Sequence, residues 1–119
     1  MADTRAMPSF DKSPAALLER FDAVIAERPR VSARKMFGYP AGFVNGNLAT
    51  GLFAEGWFVR LSEADTSQLR AIGGSPFEPM AGRPMRGYTL LPSAIAVDPS
   101  AAGAWVDRAC DHVATLPPK

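Results

Sequence analysis

Between residues 35 and 61 this chain is cut into short apolar runs by turn-forming dipeptides, a spacing that limits the stretch to strands joined by tight connections. Lys35 to Phe37, Phe43 to Val44, Leu48 to Phe53 and Trp57 to Leu61 are each too short for a helix. Asn45-Gly46 tolerates the positive φ angles of a two-residue hairpin, and Glu55-Gly56 repeats that signal more weakly. An antiparallel meander is the expected product. Met85 to Leu91, closed by Pro92, reads as one more strand.

Helical periodicity brackets these strands. Ser13 and Pro14 read as a cap and first helical residue, after which Leu17, Leu18, Phe21, Val24 and Ile25 form an apolar stripe until Pro29. Ser62 with Asp65 opens a second helix, with Leu69 and Ile72 on its apolar side and Gly73-Gly74 at its end. Asp98-Pro99 opens a third, which buries Ala102, Trp105, Val106, Ala109 and Val113. The predicted order is α-β-β-β-α-β-α. That is a two-layer α+β fold, an antiparallel sheet of about four to five strands packed with three helices. One domain is expected over residues 13–116, behind a flexible tail over residues 1–12.

Composition excludes several function classes. Of the 119 residues 47% are hydrophobic and 21% charged, which suits a packed core and not a disordered chain. A single cysteine, Cys110, rules out an internal disulfide and points to a reducing, cytoplasmic setting. No apolar run approaches the roughly 18 residues of a membrane-spanning helix, so no membrane partner is expected.

Catalytic and metal-binding residues are expected to be absent, and no cofactor is expected. Cys110 and the one histidine, His112, sit two apart on a helix, so their side chains diverge by about 200° and cannot act as nucleophile and base. One of each is too few for a zinc site. Asp107 and Asp111 share a helix face with Arg108 nearby, which reads as a solvated face. Neither a phosphate-cradling G-x-x-x-x-G-K loop nor a G-x-G-x-x-G turn occurs.

The net charge of +1 gives no overall drive toward nucleic acid, so any such affinity must be local. Arg28, Arg30, Arg34 and Lys35 fall within eight residues free of acidic side chains. They read either as a solvated connection or as a phosphate-contacting patch. Strand alternation puts Trp57, Val59 and Leu61 on one face and Phe58 and Arg60 on the other, with Arg86, Tyr88 and Leu90 on one face of the last strand. With helices on one face only, Phe58, Tyr88 and Leu90 form a candidate dimer face, unless the loop around Phe77 and Met80 covers it.

Arg34-Lys35-Met36-Phe37-Gly38, the Phe43-Val44-Asn45-Gly46 hairpin, Trp57-Phe58-Val59-Arg60-Leu61, Pro76-Phe77-Glu78, Gly82-Arg83-Pro84-Met85, Tyr88 and Leu91-Pro92 together resemble the N-terminal domain of TfoX/Sxy-type bacterial competence regulators. The resemblance implies a two-layer α+β fold and a bacterial source, in a stand-alone single-domain member without the second, helical domain of the best-known relatives. It supplies no catalytic residues.

The expected function is a non-enzymatic regulatory or interaction module, forming a homodimer and engaging a protein partner in transcription regulation. Arg34, Lys35, Arg60, Arg83 and Arg86 are its candidate binding surface. The alternatives are a nucleic-acid binder using Arg28 to Lys35, or a small-ligand protein with a pocket near Gly82-Arg83-Pro84.

Overall fold

The computed structural model describes residues 12–80 and 82–119. The expected loose tail falls on residues of which 1–11 lie outside the described ones. The elements are α1 (Ala15–Ala26), β1 (Ser32–Met36), β2 (Tyr39–Val44), β3 (Asn47–Phe53), β4 (Gly56–Arg60), α2 (Glu63–Ala71), β5 (Ser75–Pro76), β6 (Tyr88–Leu90), α3 (Ser93–Ala96) and α4 (Pro99–Val113). The fold is α+β as expected, with six strands and four helices among the described residues. All pairings are antiparallel, in the order β1-β2-β3-β4-β6-β5.

Several short-range readings need correction. Ser13 does not cap α1: its hydroxyl donates to the Ala54 carbonyl at 2.6 Å, and Pro14 holds the cap position. The third hairpin turns at Ala54-Glu55, because Gly56 already pairs with Phe53. The strand read from Met85 shortens to Tyr88–Leu90, since Gly87 at φ 84° breaks the extended run.

The N-caps of α2 and α4 behave as their sequences suggest. Ser62 Oγ accepts from the Asp65 amide at 3.2 Å, and Asp98 Oδ1 accepts from Ser100 at 3.0 Å. Gly73 takes φ 113° just past α2. Ile72, expected on that helix's buried side, is 56% exposed because it sits at the cap position beyond the last turn.

One face of the sheet carries the helices. Phe21 of α1 meets Trp57 of β4 edge-on, with ring centroids 5.3 Å apart, and Leu52, Val59, Leu69, Val106 and Ala109 fill the same core. The Trp57 indole donates to Thr50 Oγ1 at 3.0 Å, and that hydroxyl donates to the Phe58 carbonyl at 2.7 Å, so both buried polar groups are satisfied. The β2–β3 register shifts between Gly42 and Phe43, where β3 carries the extra residue, Ala49. A side chain at Gly42 would place its Cβ 2.7 Å from Val31 Cγ1, so only glycine lets the chain pass beneath it.

The opposite face is covered from within the chain. Between β5 and β6 the backbone folds back, and Phe77 stacks on Phe58 with centroids 4.3 Å apart and planes 13° from parallel. Ala41, Leu48, Phe58 and Phe77 form this smaller core, with Tyr88 and Leu90 packed beside it.

Candidate functional site

Cys110 and the two aspartates of α4 are engaged structurally. Cys110 has no exposed surface, and burial pushes its thiol ionisation up, which makes it a poor nucleophile. Among the described residues no cluster of three or more His, Cys, Asp or Glu could hold a metal ion. Asp107 and Asp111 do lie on a solvent-facing side of α4, and each is also ion-paired. Arg28 Nε and Nη2 donate to the two Asp107 oxygens at 2.7 and 3.1 Å, and Arg30 donates to Asp111 at 2.8 Å.

Those ion pairs divide the basic segment. Arg28 and Arg30 are bound to α4, and the Asp111 carboxylate raises the pKa of Arg30 further. Arg34 and Lys35 continue into β1 and stand exposed. The Arg34 guanidinium lies 4.1 Å from the Phe43 ring centroid.

The five sequence-predicted binding residues do not converge on one point. Lys35 and Arg83 lie on two recesses that share Phe37 as a wall. Arg60 stands at the far end of β4, with its guanidinium 5.5 Å from the Tyr88 ring centroid. Arg86 is exposed beside Gly87, near that same end.

Of the candidate dimer face, Phe58 is 1% exposed under Phe77, which is the loop cover left open as the alternative to a bare aromatic surface. Tyr88 and Leu90 are half-buried. The Tyr88 hydroxyl donates to the Leu48 carbonyl at 3.3 Å, and burial raises its pKa against the opposing effect of Arg60.

Among the described residues the exposed large apolar side chains are Phe37, Ile72, Met80 and Val97, and Phe37 stands at the tip of the β1–β2 hairpin. Met36 pairs with Tyr39, so Phe37 and Gly38 form a two-residue turn with φ 57° and 83°. The next hairpin uses Asn45-Gly46 at φ 53° and 84°, the residue pair this backbone prefers. Phe37 adopts the same strained conformation while 53% exposed.

A recess of about 580 Å³ lies between Phe37, Phe53, Met80, Arg83, Pro84 and Met85. Met80, 64% exposed, forms its other lip. A second recess of about 540 Å³ runs from Phe37 past Lys35, Tyr39 and Pro40 to Leu18 and Asp22 of α1. The expected pocket near Gly82-Arg83-Pro84 thus has a counterpart in the structure. Phe37 was not among the candidate residues that sequence patterns single out, although an aromatic residue before glycine was the available signal.

This surface suits contact with an apolar or mixed partner: aromatic and thioether groups in the middle, a cation at each side. Comparison with known proteins adds the family. The family model described as the TfoX N-terminal domain matches residues 23–113, from the middle of α1 to the end of α4. No curated protein and no solved structure matches the chain.

Proposed function

The chain belongs to the TfoX N-terminal domain family, and from that premise we propose that it is a non-enzymatic regulatory interaction module whose docking surface is centred on Phe37. The family supports a competence-regulator-like role. The observation that carries the docking reading is Phe37 itself. An L-residue in the left-handed region costs about 1–2 kcal/mol, and here that conformation holds an aromatic ring out toward solvent. Met80 and the recess between them extend the same apolar surface.

The partner in this reading is a protein, including a second copy of the chain. Pairing of Arg28 and Arg30 with α4 leaves only Arg34 and Lys35 of the basic segment for phosphate contacts, which favours a protein over nucleic acid.

Site-specific photocrosslinking in the source cell tests the reading. A photoreactive phenylalanine analogue at position 37 or 80 is expected to give a discrete adduct that the same group at Ser100, on α4, does not. An adduct of twice the chain's mass identifies self-association, and a different mass identifies a heterologous protein. Equal labelling at all three positions, or none, overturns the proposal.

A further inference from the structure

The sheet has two edges of different character. At one, β5 has two residues, and Pro76 lacks an amide to donate. At the other, β1 has five residues without proline, and Ser32, Ala33, Arg34 and Lys35 are all exposed.

The hairpin register fixes which backbone groups of β1 face outward. Met36 and Tyr39 close a two-residue turn, which makes them a hydrogen-bonded pair, and alternation makes Arg34 with Ala41 and Ser32 with Phe43 the next such pairs. Lys35 lies opposite Pro40, which has no amide to exchange, as this phase requires. Ala33 and Lys35 therefore turn their N–H and C=O groups away from β2 toward solvent.

The side chains along that edge carry one sign of charge. Arg34 and Lys35 are consecutive, so they project to opposite faces of the strand. Among the described residues neither has an acidic group within ion-pair distance. Two copies paired antiparallel through β1 would bring four cations together at its centre, which disfavours a second copy as occupant of this edge. A strand bearing carboxylates supplies both missing components, backbone partners for Ala33 and Lys35 and counter-charges on each face.

We propose that β1 accepts an acidic extended segment of a partner protein as a seventh strand of the sheet. This rests on the docking reading above and names the chemistry of its partner. Main-chain pairing supplies the attachment and the paired charges supply selectivity.

The test titrates the isotopically labelled full chain with a capped octapeptide of threonine and valine carrying two adjacent central glutamates. Saturable binding is expected, with slowed amide exchange at Ala33 and Lys35 and little change at Arg34, whose amide already faces β2. Arg34→Glu/Lys35→Glu should weaken binding at least about tenfold, equivalent to about 1.4 kcal/mol, and bind the peptide with lysines in place of glutamates instead. That exchange of preference shows the variant is folded. Ala33→Pro removes an outward donor while sparing the ladder to β2, and it should abolish binding.

Absence of binding at millimolar peptide overturns the proposal, as does binding that survives Ala33→Pro or ignores the charge exchange. Binding of an oligonucleotide where the peptide is inert also overturns it, in favour of phosphate recognition. None of these outcomes alters the crosslinks expected at Phe37 and Met80, so the two readings fail separately.

Discussion

At the residue scale, sequence patterns exposed the faces that a strand's period sets and the contacts that close within a few residues. Alternation placed Trp57, Val59 and Leu61 against the helices, and the caps at Ser62 and Asp98 are satisfied by amides two or three residues on. The partners of Ser13, Arg28 and Arg30 lie 41, 79 and 81 positions away, and no local pattern identifies such contacts. Burial of Cys110 has a consequence in alkaline solution. Its thiol ionises above the ordinary value of 9.0, chiefly from desolvation, with Arg30 and Arg28 opposing and Asp107 and Asp111 assisting. The folded state keeps the proton that the unfolded chain releases. Stability is therefore intact below about pH 9 and falls as pH rises through the folded-state value, by at most about 1.4 kcal/mol per pH unit for one group. Cys110→Ala should show a shallower decline above about pH 9 in denaturant titrations, each protein referred to its own neutral value. A raised Tyr88 pKa leaves a residual slope in both.

At the scale of elements, the first hairpin shows conformational preference and exposure in opposition. Asn45-Gly46 was legible as a turn because asparagine and glycine tolerate positive φ; Phe37-Gly38 was not, because phenylalanine rarely takes that role. The ring is held partly by Phe53, with centroids 5.9 Å apart and planes nearly perpendicular. Phe37→Asn should relieve strain and raise stability by about 0.5–1 kcal/mol after loss of that contact, measured by urea unfolding. Loss of partner docking together with this gain would identify a residue kept for its surface. A stability loss above about 1 kcal/mol would instead make Phe37 part of the smaller core. The same limit of local reasoning applies to the loop between β5 and β6. Its proline and glycine content marked it as irregular and left cover by Phe77 as one of two readings, between which the stacking of Phe77 on Phe58 decides.

For the whole molecule, α4 is joined to the end of α1 by more than apolar packing. Arg28 lies across Gly103, where an added Cβ would come within 2.6 Å of its Nη2 atom, and it reaches Asp107 beyond. Gly103→Ala improves helix propensity by up to about 1 kcal/mol but displaces this guanidinium, so in the wild-type background it should be neutral or destabilising. In an Arg28→Ala background the same change should stabilise, and a double-mutant cycle of unfolding free energies reads the difference. Additivity in the cycle would show that the arginine moves aside without cost. The unlike edges of the sheet bear on stoichiometry. With β5 short and proline-terminated and β1 open, each molecule offers one edge long enough to take a strand, so two copies cannot chain edge to edge through both ends of the sheet, and any growth beyond one-to-one passes to the outer edge of the strand taken up.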